Sequence, residues 1–464
     1  MRILIYSYNY YPEPIGIAPL MTELAEGLAA KGHQVRVVTA MPHYPERAIY
    51  PSYRGRLYQT EQRNGVLIQR CFVMAHQGTG LLGRSLLELS FISLSFLQAL
   101  RGWQPDIILN SSPSLPACLP VAALKMLFRC PSVLNLQDIL PEAAIQTGLL
   151  KNPLGIRVFE ALEAFAYGNA TRISVIAPSF RENLLAKGVP NTKMVTIPNW
   201  VDVDFITPQP KTTSQFGQRH NLQDKFVVLY TGNIAETQGI SNAIRAAKLL
   251  VNYPDIQIVI VGEAKQLDNL ERLRHSLKLN NVSLLPFVPR SELPDMLASA
   301  DVGLIMQKRG VVGFNMPSKT QVLLASGRPI LASVPTEGTS AQAVIASGGG
   351  LVVEPENPAA LAEGILDLYH NPAKASQLAQ QGRRYALENY SFHRALEKYE
   401  ALFYALTVSH AAKASPPKAL WHLGPLRNSS GYWLRLEQLD RERGQNTGVG
   451  TSDSCILDLQ DCCC

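Results

Sequence analysis

The chain lacks several signatures that would settle its chemistry early. No GxGxxG follows its first expected strand, which argues against a nicotinamide-dependent enzyme, and no GxxxxGKS or GxxxxGKT occurs, which removes the P-loop class. None of the seven cysteines stands at a zinc-ligand spacing. Cys71, Cys118 and Cys130 lie in apolar segments and read as buried thiols. Cys455, Cys462, Cys463 and Cys464 crowd the far end, where three adjacent cysteines form no disulfide framework. The opening MRILIYSYNYYPEP enters a strand at once without a cleavage site, so a cytosolic protein is expected.

Charge is also sparse, at 17% of residues, with a formal net charge of +6. Beyond residue 408 the basic and acidic residues balance, so the excess belongs to the body of the chain. No basic–aromatic stripe accompanies it. The balance suits anionic small molecules or an anionic lipid surface, not nucleic acid. Long apolar runs are missing too. The most lipid-like segment, residues 85–100, holds Glu88, Gln98 and several serines, and it is short for a membrane span. It reads as a buried domain helix or as a helix lying in the plane of a membrane surface.

What the sequence does have is apolar content of 46% over 464 residues, enough for two cores of ordinary size. Short β-branched runs alternate with amphipathic helical runs, the pattern of parallel sheets covered on both faces. RILIYSY, HQVRVVTA, PDIILNSS, CPSVLNLQD, ATRISVIAPS and TKMVTIPNW are the strands expected before residue 202. Residues 202–225 are polar, hold two prolines and show no apolar period, and so read as a linker. FVVLYTG, IQIVIVG, NVSLLPFV, DVGLIMQ and PILASVP then form a second series. The expected architecture is α/β, with two doubly wound domains, 1–201 and 226–391, facing each other across a cleft. Two helical runs, 372–389 and 392–406, end the second half. The region 409–464 has no period and many turn formers, and reads as a poorly ordered tail.

Strand-end loops of the second half hold the candidate anion site. YTGNIAETQGI, residues 230–240, turns from a strand toward a helix expected to start near Gly239, with Gly232 for the turn and Asn233 and Gln238 as neutral donors. In PSKTQVLLASG, Pro317 suits a first helical turn, Ser318 and nearby amides are donors, and Lys319 adds a positive charge. Gly262 ends another strand on the same rim, and the backbone of Phe287 and Val288 is placed to meet a nucleobase edge. Each loop also has a plainer reading as a tight turn or an N-capped core helix. Their meeting at one sheet edge is the useful signal.

In the first half, Gly16 would let a substrate approach a helix start, beside Tyr8, Tyr10 and Tyr11, which line an acceptor pocket or simply pack. His43 is a candidate acceptor contact, with a solvated loop histidine as the plainer reading. Asp138 and Glu142 follow a further strand. Asp138 is placed to orient or deprotonate an acceptor hydroxyl, and Glu142 is an acceptor contact or a first-turn helix charge.

Taken in order, EPIGIAPLMTELAEGLAAKGHQVRVVT, IPNWVD, GNIAETQG, FVPRSELPDMLASADVGL and PSKTQVLLASGRPI resemble the GT-B glycosyltransferases of family 4, of the bacterial colanic-acid and exopolysaccharide type. The likeness spans about residues 1–406. The resemblance implies a nucleotide-sugar donor on the C-terminal domain and an acceptor on the N-terminal domain. It implies transfer with retention, no metal or other cofactor, and a last helix, 392–408, crossing back to the first domain. It further implies an acceptor that is often a sugar on a lipid carrier at the inner membrane face, and hence a cytoplasmic enzyme in peripheral contact with that membrane. Lys319 then stabilises the departing diphosphate, UDP being favoured over GDP, and Asp138 orients the acceptor. Many relatives carry two glutamates where this chain has Phe314 and Val322, and Arg and Lys where it has Asn233 and Gln238. The alternatives are a nucleotide-sugar 2-epimerase, or a non-catalytic donor-binding scaffold of a polysaccharide assembly.

Overall fold

Two parallel sheets organise the chain. The computed structural model describes residues 1–14, 16–75, 81–112, 114–139, 142, 152–311 and 318–414. Pro317, Phe314 and the tail from residue 415 lie outside the described residues.

The first sheet is built from β1 (Arg2–Ser7), β2 (Gln34–Ala40), β3 (Tyr58–Arg63), β4 (Val66–Cys71), β5 (Ile107–Ser111), β6 (Ser132–Leu136), β7 (Arg172–Val175) and β8 (Met194–Thr196). Their spatial order is β3-β4-β2-β1-β5-β6-β7-β8. Pairing is parallel except for β3 on β4, so the strand order reverses between β1 and β5. The second sheet is built from β9 (Phe226–Thr231), β10 (Ile256–Gly262), β11 (Val282–Pro286), β12 (Val302–Met306), β13 (Ile330–Ser333) and β14 (Gly350–Val353), in the order β11-β10-β9-β12-β13-β14. Its reversal falls between β9 and β12. Ligand crevices of such sheets lie at those reversals, beyond the carboxyl ends of the strands.

These strands read as near-continuous apolar runs because helices cover both faces. All seven residues of β10, IQIVIVG, are buried. In β1, Ile3 and Ile5 face a core made by the helices Ile17–Ala30 and Phe392–Ala414, while Leu4 and Tyr6 face the opposite core with Phe91 of the helix Leu81–Ala99.

Residues 202–225 carry more structure than their polar composition suggests. Lys211–Thr213 is a 3-10 turn and Gln215–Arg219 a short helix. The Asp295 carboxylate accepts from the Gln215 and Phe216 amides at 2.9 and 2.7 Å. Ile206, Phe216 and Leu222 are buried in the core around β9 and β12. Three apolar residues too far apart to make a period are enough to dock the segment.

The helix Phe392–Ala414 packs on the first sheet, with Leu396, Tyr399, Phe403 and Leu406 buried there. Asn135 at the end of β6 donates to the Tyr399 hydroxyl at 2.7 Å. A second tie between the lobes is the buried contact of Ser179 Oγ with Thr339 Oγ1 at 2.8 Å. Among the described residues, no helix is long and apolar enough to cross a membrane.

Candidate donor and acceptor sites

Lys319 opens the helix Lys319–Ala325 and reaches across to the end of β9. Its ammonium donates to the Tyr230 hydroxyl at 2.9 Å and to Gln238 Oε1 at 3.4 Å. It also lies 4.3 Å from the centroid of the Tyr230 ring. Both hydrogen-bond partners are neutral, and burial pushes the ammonium down to about 8. A cation held this way is poised for an anion that would satisfy it. Tyr230 is fixed in turn, since its hydroxyl donates to the Asn233 carbonyl at 2.6 Å.

Two glycines make room for this arrangement. Gly232 has φ 137, and a Cβ there would stand 3.2 Å from the Lys319 ammonium. Gly262 lies against Ile234, so closely that a Cβ would come 2.2 Å from its Cδ1. Gln266 holds the same residue from outside by accepting the Ile234 amide at 2.9 Å. Lys308 pairs with Glu236, and its amide donates to the Thr237 carbonyl at 2.8 Å. The loop between β9 and its helix is thus fastened at three points.

That loop differs from the expected helix start. Glu236–Gln238 form a 3-10 turn, Gly239 is left-handed, and the helix begins at Ser241. The amides of Gly232, Ile234, Gln238 and Gly239 are already donated to Val261 O, Gln266 Oε1, Ala235 O and Glu236 O. The helix start expected near Gly239 thus lies at Ser241, the amides of Gly232, Gln238 and Gly239 serve the turn, and Gln238 and the exposed Asn233 bring their side chains to the loop beside Lys319. Ser318 precedes the Lys319–Ala325 helix and is exposed. Phe287 is 51% exposed beyond β11, whereas Val288 packs against the core. Val322 also packs on that core, as an apolar side chain would.

On the first lobe, Gly16 caps the helix Ile17–Ala30 without a side-chain cap, and among the described residues, its chain neighbours aside, nothing lies within 4 Å of where its Cβ would be. Tyr11 is 40% exposed, with the Arg63 guanidinium 3.8 Å over its ring. His43 is neither solvated nor open. It is 4% exposed, with Nε2 3.1 Å from the Tyr8 hydroxyl and Nδ1 2.9 Å from the Met41 carbonyl. Glu13 fastens this region by accepting the His43 and Tyr44 amides at 2.8 and 2.9 Å. Asp138 follows β6 and is pushed up to about 6 by burial. Glu142 pairs with Lys187 at 2.5 Å, and the same ammonium takes Glu163 at 2.7 Å.

The structure thus brings Lys319, Gln238 and Gly232 together. It spends His43 and Glu142 on internal contacts. Sequence reasoning missed Tyr230, Gln266, Lys308 and Glu13. A tyrosine in an apolar strand reads as core, which Tyr230 also is. Its position two residues before a turn glycine was the available signal.

Comparison with known proteins agrees with this architecture. Residues 16–200 match the family described as glycosyl transferase 4-like domain, and residues 212–385 match glycosyl transferases group 1. A protein of Escherichia coli K12 that bears the name colanic acid biosynthesis glycosyl transferase WcaI is 32% identical over 373 residues, covering 79% of this chain and 91% of its own. The Pseudomonas aeruginosa protein named as glycosyltransferase WbjE is 26% identical, covering 72% and 83%. The crystal structure of Anabaena HepE in complex with UDP superposes with a TM-score of 0.64 at 16% identity, covering 88% of this chain and all of that one. Sucrose-phosphate synthase of Thermosynechococcus elongatus gives a TM-score of 0.66 at 17% identity, with 88% and 100% covered. The chain belongs to the GT4-like family of GT-B glycosyltransferases.

Proposed function

We propose that this glycosyltransferase moves a sugar from a nucleoside diphosphate sugar, UDP favoured over GDP, to a lipid-linked or saccharide acceptor in cell-surface polysaccharide synthesis, with retention of configuration. The observation that carries the reading is the Lys319 ammonium, held between Tyr230 and Gln238 with no acidic hydrogen-bond partner among the described residues, at the reversal of the second sheet. The bond to the anomeric carbon breaks as charge grows on the departing diphosphate. A fixed cation facing that charge stabilises the transition state more than the ground state. Lys319 and Gln238 would take the diphosphate, and the exposed Phe287 lies on the rim where a base would stack. Asp138, past the end of β6, would face the acceptor.

The relatives support the sugar chemistry. The WcaI name concerns colanic acid, and HepE was crystallised with UDP, with UDP and glucose, and with UDP-glucose. The test is a thermal-shift panel of UDP-, GDP- and ADP-sugars, because a ligand that binds only the folded chain raises its melting point. A rise with UDP-sugars that Lys319→Ala abolishes is expected. No rise with any nucleotide sugar would overturn the reading.

A further inference from the structure

Three helices of the first lobe lie side by side over one face of its sheet: Leu81–Ala99, Cys118–Phe128 and Pro153–Asn169. Each links the carboxyl end of one parallel strand to the start of the next, so all three begin at the rim that carries Asp138 and run away from it. Their inward residues, among them Phe91, Val121, Leu124 and Ala166, are buried.

Their outward residues are not polar. Ten of the twenty-two exposed large apolar side chains among the described residues lie on these helices or on the residue after the first. On the first helix, Leu86, Leu89, Leu97 and Leu100 are 39–56% exposed and recur at i, i+3, i+11 and i+14, which is one helix face. On the second, Leu119, Met126 and Leu127 are 44%, 74% and 59% exposed. On the third, Leu154, Val158 and Phe165 are 69%, 58% and 42% exposed at i, i+4 and i+11. Surface helices of a globular lobe put charged residues on such faces. Three adjacent exceptions make a patch rather than scattered leucines.

Exposed cations outnumber exposed acids around the patch. Arg101, Arg129 and Arg157 are exposed, against Glu160 as the exposed acid of the third helix. At the far ends of the second and third helices, Lys125 and Lys193 reach the Asn169 and Gly168 carbonyls, with Arg172 beside them. These cations crowd closely enough that Lys125 and Arg172 add to the burial that lowers the Lys193 ammonium. Glu163 and Glu88 face inward, held by Lys187 and Ser114.

We infer that this three-helix face is a docking surface for an anionic lipid bilayer, its leucines entering the headgroup layer and its arginine and lysine rim meeting lipid phosphates. The inference deepens the reading of a lipid-borne acceptor and rests on it for its purpose, not for its test. A bilayer against this face would lie alongside the rim where the three helices begin, which is where Asp138 stands. A sugar on a lipid carrier would then reach the acceptor lobe without leaving its membrane.

The experiment is flotation of the full-length chain with vesicles of phosphatidylcholine alone or of equal parts phosphatidylcholine and phosphatidylglycerol. Wild type should float with the anionic vesicles about tenfold more than with neutral ones, and salt should weaken the binding. The triple variant Leu89→Ser, Met126→Ser, Val158→Ser and the pair Arg101→Glu, Arg129→Glu should each lower flotation by about tenfold. Both should keep the donor-induced rise in melting point, since they alter exposed side chains far from Lys319. Flotation unchanged in both variants, or wild type that ignores anionic vesicles, overturns the inference. So does a wild-type dimer in light scattering that the serine variant splits, because a second copy would then be the occupant. A missing donor shift with intact flotation would instead count against the proposed function alone.

Discussion

The Lys319 ammonium and the Tyr230 hydroxyl stand 2.9 Å apart, and the same ammonium lies 4.3 Å from the tyrosine ring centroid. One aromatic residue therefore meets the cation with both its oxygen and its π face. The strand end of β9 sets the tyrosine and the first turn of the Lys319–Ala325 helix sets the lysine, so the pair links two elements far apart in sequence.

Tyr230→Phe keeps the ring and deletes the hydroxyl that both accepts from Lys319 and donates to Asn233. A hydrogen bond to a charged group contributes about 1.5–3 kcal/mol. Donor kcat/KM should fall roughly tenfold or more, and the free protein should stay folded with a melting point lowered by a few degrees. Lys319→Ala should cost well over about tenfold, again with the fold intact. Steady-state kinetics beside thermal melts separate the two effects. Near-normal transfer by Lys319→Ala would remove the lysine from the mechanism.

Lys319 titrates near 8 in the free protein, below the ordinary lysine value. Its cation is therefore lost as pH rises through about 8, and kcat/KM should decline there. A bound diphosphate favours the charged form, so the limb in kcat at saturating donor should move to higher pH. In the unfolded chain the lysine stays charged to higher pH, so this group raises folding stability as pH climbs from about 8 toward the unfolded value. The check is kcat/KM and kcat measured across that range in wild type and in Tyr230→Phe, whose limb should shift to lower pH.

Asp138 offers the converse test. Burial holds its folded pKa near 6, above the ordinary aspartate value. The folded chain then binds the proton more tightly than the unfolded one, and stability from this group falls as pH rises from about 4 to about 6. Asp138→Asn should leave the protein at least as stable as wild type at pH 8, by up to about 2–3 kcal/mol. If Asp138 faces the acceptor as proposed, the same variant should lower transfer while sparing the donor-induced thermal shift. An unaltered turnover would make the buried carboxylate structural.

Much of this was legible because a parallel sheet covered on both sides writes its strands as apolar blocks. β9 to β13 and β1, β2, β5 and β6 all announce themselves that way. In the hairpin of β3 and β4, YQTEQR sits at a sheet edge with none of its side chains fully buried, so β3 writes no apolar pattern, whereas VLIQRC of β4 is almost wholly buried and its short apolar block was passed over. Lys319 was visible as a cation in a Pro-Ser-Lys turn. Tyr230 was hidden because its ring is core and only its hydroxyl serves the site. The docking of residues 202–225 rests on Ile206, Phe216 and Leu222, three side chains in a polar background, and no period could flag them. His43 read as a solvated loop histidine because it follows a strand end, yet long-range contacts to Tyr8 and Glu13 bury it.

The approach of Ile234 to Gly262 gives a prediction on loop shape alone. Gly262→Ala places a carbon where Ile234 Cδ1 now sits, at 2.2 Å, with the Gly232 carbonyl 3.3 Å away on the other side. Ile234 must swing out, which strains the hydrogen bond from its backbone amide to Gln266. Overpacking of this kind costs about 1–3 kcal/mol. The displaced loop also carries Gln238 away from Lys319. The donor-induced rise in melting point should shrink or vanish, although no atom that would touch the donor has been changed. Ile234→Ala in the same background removes the clashing carbons and should restore part of the shift. A double variant no better than Gly262→Ala would mean that glycine serves the donor directly rather than by admitting the isoleucine.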